Sequence, residues 1–417
     1  MNPQGKIAGK GGWIVAIFIA ILMLRISSYF TMTDSLAIAR VIKLGTRLML
    51  TGFCTLWWFS LKTKVGAPAI KGNNFMSLGF YMAYLLLGIF SLLWTSSVST
   101  SLLQLSMTIE SLFFVFIFYQ LWLYKSNELE GLNLRLSRLL SVSITLISIV
   151  FIAGIYIAPD MFYRGTHGGE VSRLGGFIIN PNELGMLLVI GMAMGIYELF
   201  LKNKAKFYWW AIPLMAYGLI QTGSRSSLIA FGLVLFLYIA LYKKVVIKFA
   251  MAGLAVLSIP YLVQKVIIKM GDIGEVMSMT GRIPFWQDLV THGFTKEPIL
   301  GYGFMRISYH DKFESIQTYA ASMTHNTFIQ VLLNLGLVGF AIVSIQMALL
   351  AYAILKWKDW KMQLMACSLL IPLIINSLTE FGIFGESNYG IMFYQMVIMM
   401  FVFYIASNKN KILTTSA

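Results

Sequence analysis

Charge is scarce in this chain and cysteine nearly absent. Of 417 residues only 12% are charged, about half the fraction of an average soluble domain. With 58% hydrophobic residues and a mean hydropathy of +0.76, the composition excludes a soluble enzyme. Short alternating strands are also lacking, so a membrane β-barrel is excluded and the apolar stretches must be helices. The two cysteines, Cys54 and Cys367, lie inside apolar stretches and provide neither a disulfide framework nor a metal site. There is no GxxxxGK[ST] loop for a nucleotide, no HExxH or CxxC for zinc and no D-x-D pair for a metal-bound nucleotide sugar. Mechanisms driven by ATP or by metal lose weight accordingly, and no cofactor is expected. No heptads or solenoid-length repeats stand out.

What is present is a series of bilayer-length apolar runs. Twelve spans are expected, at about 13–30, 42–61, 75–94, 100–124, 139–158, 183–201, 206–222, 226–242, 245–264, 326–355, 362–380 and 388–407. The run from Trp13 to Leu24 follows Lys6 and Lys10 as a signal sequence would, but no small-x-small cleavage pattern follows it. That first span is expected to be retained. The fold class is thus an all-α, polytopic integral membrane protein, a single transmembrane domain over 1–417.

The net charge of +15 raises the question of nucleic acid, yet the cations are scattered through short loops rather than gathered on one face. Every second connection is basic: Lys62, Lys64 and Lys71; Lys125, Arg135 and Arg138; Lys202, Lys204 and Lys206; Lys243, Lys244 and Lys248; Lys356, Lys358 and Lys361; then Lys409 and Lys411. The positive-inside rule makes that side cytoplasmic and places both termini there. Arg25, Arg40, Lys43 and Arg47 conflict with this orientation. Snorkelling to headgroups would accommodate them, as would an outer-leaflet site for a phosphorylated lipid.

Two outward connections are long, 159–182 and, between spans nine and ten, 265–325. The second holds Phe285, Trp286, Leu289, Val290 and Phe294 at helical spacing, which predicts a short amphipathic helix on the outer membrane surface, capping a cavity.

Polar residues gather on the outward side. Arg173, Arg225 and Arg282 each stand in Gly- or Ser-rich turns, where backbone can approach an anion and a guanidinium fork can bind phosphate bidentately. A headgroup contact accounts for any one of them; three together suit a lipid-linked diphosphate. Of the four histidines, His167, His292, His310 and His325, only His325 abuts a span. Its imidazole could take a proton from an attacking hydroxyl, or could simply cap the helix. Glu110 lies mid-span among Ser106, Thr108 and Ser111, and Glu183 and Glu380 lie near outer span ends. An intramembrane acid is a functional candidate by default, though a hydrogen bond within the bundle would satisfy it equally. Asn180 and Asn182 flank Pro181 at a helix start, where capping is the ordinary role. The Gly301–Gly303 GYG reads as a turn.

In this order the pieces resemble the O-antigen ligase and polymerase superfamily, the Wzy-C type of membrane glycosyltransferase. The resemblance covers roughly 170–345. It rests on R-x-x-G-F-x-x-N-P-N-E-L at Arg173–Leu184, T-G-S-R at Thr222–Arg225, G-R-x-x-x-W at Gly281–Trp286, P-I-L-G-Y-G at Pro298–Gly303 and H-N-T-F-I-x-x-L-x-x-x-G at His325–Gly336. It implies a metal-independent, inverting transfer of a glycan from undecaprenyl diphosphate to a sugar hydroxyl at the periplasmic face of the bacterial inner membrane. His325 would be the base, Arg225 and Arg282 would hold the diphosphate, and Arg173, Asn182, Asn326 and Tyr302 would bind substrate. The implied partners are the lipid-linked oligosaccharide donor, a glycan or lipid A-core acceptor, membrane lipids and other polysaccharide-assembly proteins, with no nucleic acid.

Members of that superfamily differ in acceptor. A polymerase extends another lipid-linked repeat, a ligase passes the glycan to lipid A-core, and a third branch, often with a long soluble tail, glycosylates proteins. The T-G-R-x-x-x-W and P-I-L-G-Y-G combination is similar to exopolysaccharide polymerases. A transporter for a lipid-linked substrate is the alternative of another class; it suits twelve spans and Glu110 but would call for paired broken helices in two halves.

Overall fold

A computed structural model describes residues 3–33, 35–62, 75–95, 97–128, 134–166, 171–201, 205–242, 281–304, 324–380 and 382–414, with a few isolated positions besides. In chain order the helices are α1 (Pro3–Ser27), α2 (Leu36–Lys62), α3 (Phe75–Phe90), α4 (Val98–Glu128), α5 (Leu136–Ile157) and the single turn α6 (Pro159–Phe162). After the strands β1 (Tyr163–Thr166) and β2 (Val171–Leu174) come α7 (Pro181–Phe200), α8 (Phe207–Thr222), α9 (Arg225–Leu241), α10 (Arg282–Asp288), α11 (Thr327–Leu355), α12 (Trp360–Ser377) and α13 (Tyr389–Thr414). The chain is a polytopic, all-α membrane protein. Among the described residues six helices are long and apolar enough to cross a membrane: 75–93, 98–126, 136–157, 181–200, 327–355 and 360–377. Shorter apolar helices cover 12–27, 225–241 and 389–402. The span expected at 245–264 falls almost wholly outside the described residues. The small antiparallel hairpin, pairing Arg164 with Arg173 and Tyr163 with Leu174, was not foreseen within the 159–182 connection.

The described chain groups into two compact units. The first comprises 1–46, 131–280 and 367–376. Its centre is α7, packed by α5, α8 and α9, with α1 lying along α5. Small residues permit the close packing: a methyl on Gly185 would stand 2.6 Å from Ser227 Oγ, and one on Gly191 2.6 Å from Ile144. Toward the other end of α7, fully buried Glu198 pairs with Arg135 at 2.7 Å and accepts a hydrogen bond from the Ser137 hydroxyl at 2.5 Å. Arg25 and Lys43 are also settled inside this unit: Arg25 is buried with its guanidinium 5.9 Å from the Tyr29 ring, and Lys43 Nζ donates to Thr31 Oγ1 at 2.8 Å.

The second unit comprises 47–130, 281–366 and 377–417. Here α3 packs on α11 and α4 on α13. Helix α13 is buried on every side from Tyr389 to Val402, as a helix that is apolar all round should be. Its polar groups are met from neighbouring helices: Tyr394 Oη donates to Gln346 Oε1 at 2.5 Å, Gln346 Nε2 to Ser77 Oγ at 3.0 Å, and Gln395 Nε2 to Tyr81 Oη at 3.0 Å. Arg47 belongs to this interior and does not snorkel outward. It is fully buried, 2.9 Å from the Glu110 carboxylate, and also donates to Met107 O at 2.6 Å. Pairing offsets part of the cost of burying each of these charges.

Helix α11 is broken at Gly336, whose φ of 62° and ψ of −161° are non-helical. The P-I-L-G-Y-G segment fills the break. Tyr302 N donates to Leu333 O at 2.9 Å and Gly303 N to Asn334 O at 2.8 Å, while Leu337 N donates to Pro298 O at 2.9 Å. Backbone groups released by the break are therefore paired within protein, the condition for irregular backbone at membrane depth. Gly301 and Gly303 take positive φ values of 65° and 100° and lie against Leu333–Asn334 and Thr95 so closely that no side chain would fit. The turn expected at GYG is a wedge into a transmembrane helix.

Candidate functional site

Within the second unit the site is built where α11 begins. Asn326 caps that helix, its side-chain oxygen accepting from Phe328 N at 2.9 Å and Ile329 N at 3.1 Å. The residue before it, His325, is held at a φ of +51°, a conformation that costs a non-glycine residue of order 1–3 kcal/mol and persists only when its surroundings impose it. The surroundings do so from both sides. Trp286 Nε1 donates to Thr324 O at 2.6 Å, and Asn326 Nδ2 donates to Leu378 O at 3.1 Å.

Glu380 lies between His325 and Arg282. One carboxylate oxygen is 2.7 Å from His325 Nδ1, and the other accepts from Arg282 Nη2 at 2.7 Å. Arg282 Nη1 also donates to the Thr379 carbonyl. Thr327 fastens the same loop, accepting from Gly382 N at 2.9 Å and donating to Glu380 O at 3.2 Å. Glu380 is only 2% exposed. Burial by itself would raise its carboxyl, but the hydrogen bond with His325 and the charges of His325 and Arg282 prevail and hold it down at about 2. A carboxylate ionised at every relevant pH and bonded to Nδ1 places the imidazole proton on that nitrogen, which leaves Nε2 as the basic one.

Helix α10 presents Arg282 to this loop. Its N-cap, Gly281, is left-handed at φ 80°, and the chain continues as a π turn over Leu289–Gly293 and a 3-10 turn over Phe294–Lys296. The amphipathic helix is there, but its apolar side is docked on protein: Phe285 and Leu289 are buried with Leu333 of α11, and Trp286, Phe294 and Tyr302 pack around them. Tyr302, expected to bind substrate, donates its hydroxyl to Gly293 O at 2.7 Å and braces this segment. The expected role of α10 as a cap falls partly on 305–323, outside the described residues, as do His167 and His310.

In the first unit the remaining expected residues come together. Arg173, on β2, donates from Nε to Thr222 O at 2.8 Å and from Nη2 to Asn182 Oδ1 at 2.6 Å. It thus joins the hairpin to the N-P-N-E and T-G-S-R turns. Asn180 caps α7, accepting from Asn182 N at 2.9 Å, with Pro181 at the first position. Gly223, left-handed at φ 56°, ends α8, and Ser224 caps α9. Arg225 is the first residue of α9, at the positive end of that helix's dipole.

Residues 210–344 match the Wzy_C family model, described as O-antigen ligase. This is the superfamily that the motifs resemble. No curated protein matches the chain. The matched segment contains Arg225, Arg282 and His325 and stops short of Glu380. Sequence reasoning noted Glu380 only as an acid near a span end, a signal it shares with Glu183, and did not place it beside His325 and Arg282.

Proposed function

We propose that the protein is a membrane glycosyltransferase that moves a glycan from an undecaprenyl diphosphate carrier to a sugar hydroxyl at the periplasmic face of a bacterial inner membrane. The observation that carries this reading is the Glu380 carboxylate shared between His325 and Arg282, and the family match supports it. His325 Nε2 takes the proton of the acceptor hydroxyl while that oxygen bonds to the anomeric carbon. The bond from that carbon to the diphosphate oxygen breaks, its electron pair leaves with the diphosphate, and attack from the opposite face inverts the centre. Glu380 stabilises the imidazolium that forms. Arg282 offsets the departing negative charge. The resemblance assigns Arg225, with Arg173 behind its turn, to donor binding. Motif usage favours a polymerase, in which the acceptor is another lipid-linked repeat, over a ligase.

The test uses purified protein in nanodiscs with undecaprenyl diphosphate-linked oligosaccharide, first alone and then with lipid A-core. Growth of a ladder from the donor alone is expected and marks a polymerase; a single addition that requires lipid A-core marks a ligase. His325→Ala is expected to abolish either product while the protein still inserts. No transfer by folded wild-type protein from authentic substrates, or wild-type turnover by His325→Ala, would overturn the reading.

A further inference from the structure

Between α2 and α4, within the second unit, runs a groove of about 840 Å³, inside the usual ~300–1,000 Å³ range of ligand sites. Its rim is hydrocarbon: Leu56 is 73% exposed and Phe113 47%. Its floor contains Thr51 and Glu110, but their polar atoms are spent on one another, since Thr51 Oγ1 donates to Glu110 Oε1 at 2.5 Å and Arg47 closes the other oxygen. An occupant therefore meets an electrically closed, apolar surface. Along α2 the lining runs from Leu48 to Leu56, about 12 Å at 1.5 Å per residue. Gly52 lines it, and an added Cβ there would meet nothing within 4 Å.

One end of this groove is tied to the site. Arg47, on its floor side, donates to Ser387 Oγ at 3.3 Å, and Ser387 belongs to the loop between α12 and α13 that delivers Glu380 to His325. We infer that this groove seats the isoprenoid chain of the lipid-linked donor, with the head end of the lipid toward that loop. The inference rests on the glycosyl-transfer reading. A channel bounded by two helices suits a single chain, whereas a bilayer phospholipid brings two.

Gly52→Phe introduces a bulky side chain at a groove-lining position where an added Cβ meets nothing within 4 Å. Gly79→Phe on α3 is the control, because an added Cβ there also meets nothing within 4 Å and Gly79 does not line the groove. With the undecaprenyl donor, Gly52→Phe is expected to raise KM about tenfold with kcat kept, the equivalent of about two methylenes lost from burial. A donor linked to a single isoprene unit, too short to fill the groove, should show no such change, and Gly79→Phe should behave as wild type with both. An equal effect on both donors, or none on either, would overturn the inference. A binding arm separates its failure from that of the transfer reading: an undecaprenyl diphosphate carrying a photoreactive group in its chain should label α2 and α4 of the wild-type protein. Labelling elsewhere, or labelling abolished by equimolar phosphatidylglycerol, would assign the groove to bulk lipid and overturn the inference, whatever the transfer assay gives.

Discussion

Replacing Glu380 by glutamine tests the core of the site through both stability and turnover. The carboxyl lies at about 2 in place of its ordinary 4.5 because His325 and Arg282 outweigh the cost of its burial. At 1.36 kcal/mol per unit, that gap corresponds to about 3 kcal/mol favouring the folded state. The folded value lies below the unfolded one, so this contribution is complete above about pH 4.5 and is lost as the pH falls toward about 2. For a unit of this size, about 2–4 °C per kcal/mol converts it to roughly 6–12 °C in Tm. Thermal unfolding of the protein in detergent, followed from pH 6 down to pH 3, should show the wild-type Tm falling more steeply than that of Glu380→Gln. At neutral pH the variant should be the less stable of the two and should turn over about 10²-fold or more slowly, because an amide can no longer fix the imidazole tautomer or stabilise the imidazolium. Parallel Tm curves in acid, or unchanged turnover, would refute the reasoning.

Arg47→Met alone should destabilise by about 3–5 kcal/mol, because it strands Glu110 in the membrane, and the double variant with Glu110→Met should recover most of that loss; chemical denaturation in micelles reads both, and additive losses would count against the pairing. Thr327→Val should cost about 1–3 kcal/mol by leaving Gly382 N and Glu380 O without their shared hydroxyl, with a parallel fall in transfer activity. Gly185→Ala forces a methyl to 2.6 Å from Ser227 Oγ and should lower stability by about 1–3 kcal/mol, measurable as a lower Tm with no change in the pH dependence.

Much of this could be read from local pattern. Stretches such as 136–157 and 327–355 declare themselves helical and membrane-spanning because an apolar run of bilayer length has few other solutions. Asn180, Ser224 and Asn326 announce helix starts because capping is satisfied by neighbours two or three residues away. The motif that carries His325 was legible for the same reason. The helical spacing of Phe285, Trp286 and Leu289 likewise predicted α10, although not the surface of α11 that it covers.

What local pattern left open was the pairing of charges. Glu380 is separated from His325 by 55 residues and from Arg282 by 98, and Arg47 from Glu110 by 63. Ion pairing inside a membrane acts over a few ångströms between whichever groups the packed helices bring together, so no spacing along the chain encodes it. The sequence by itself determined that helices cross a membrane and that a histidine stands at the head of one of them. The tertiary structure decided that a buried carboxylate holds that histidine, and that the break in α11 is sealed by P-I-L-G-Y-G.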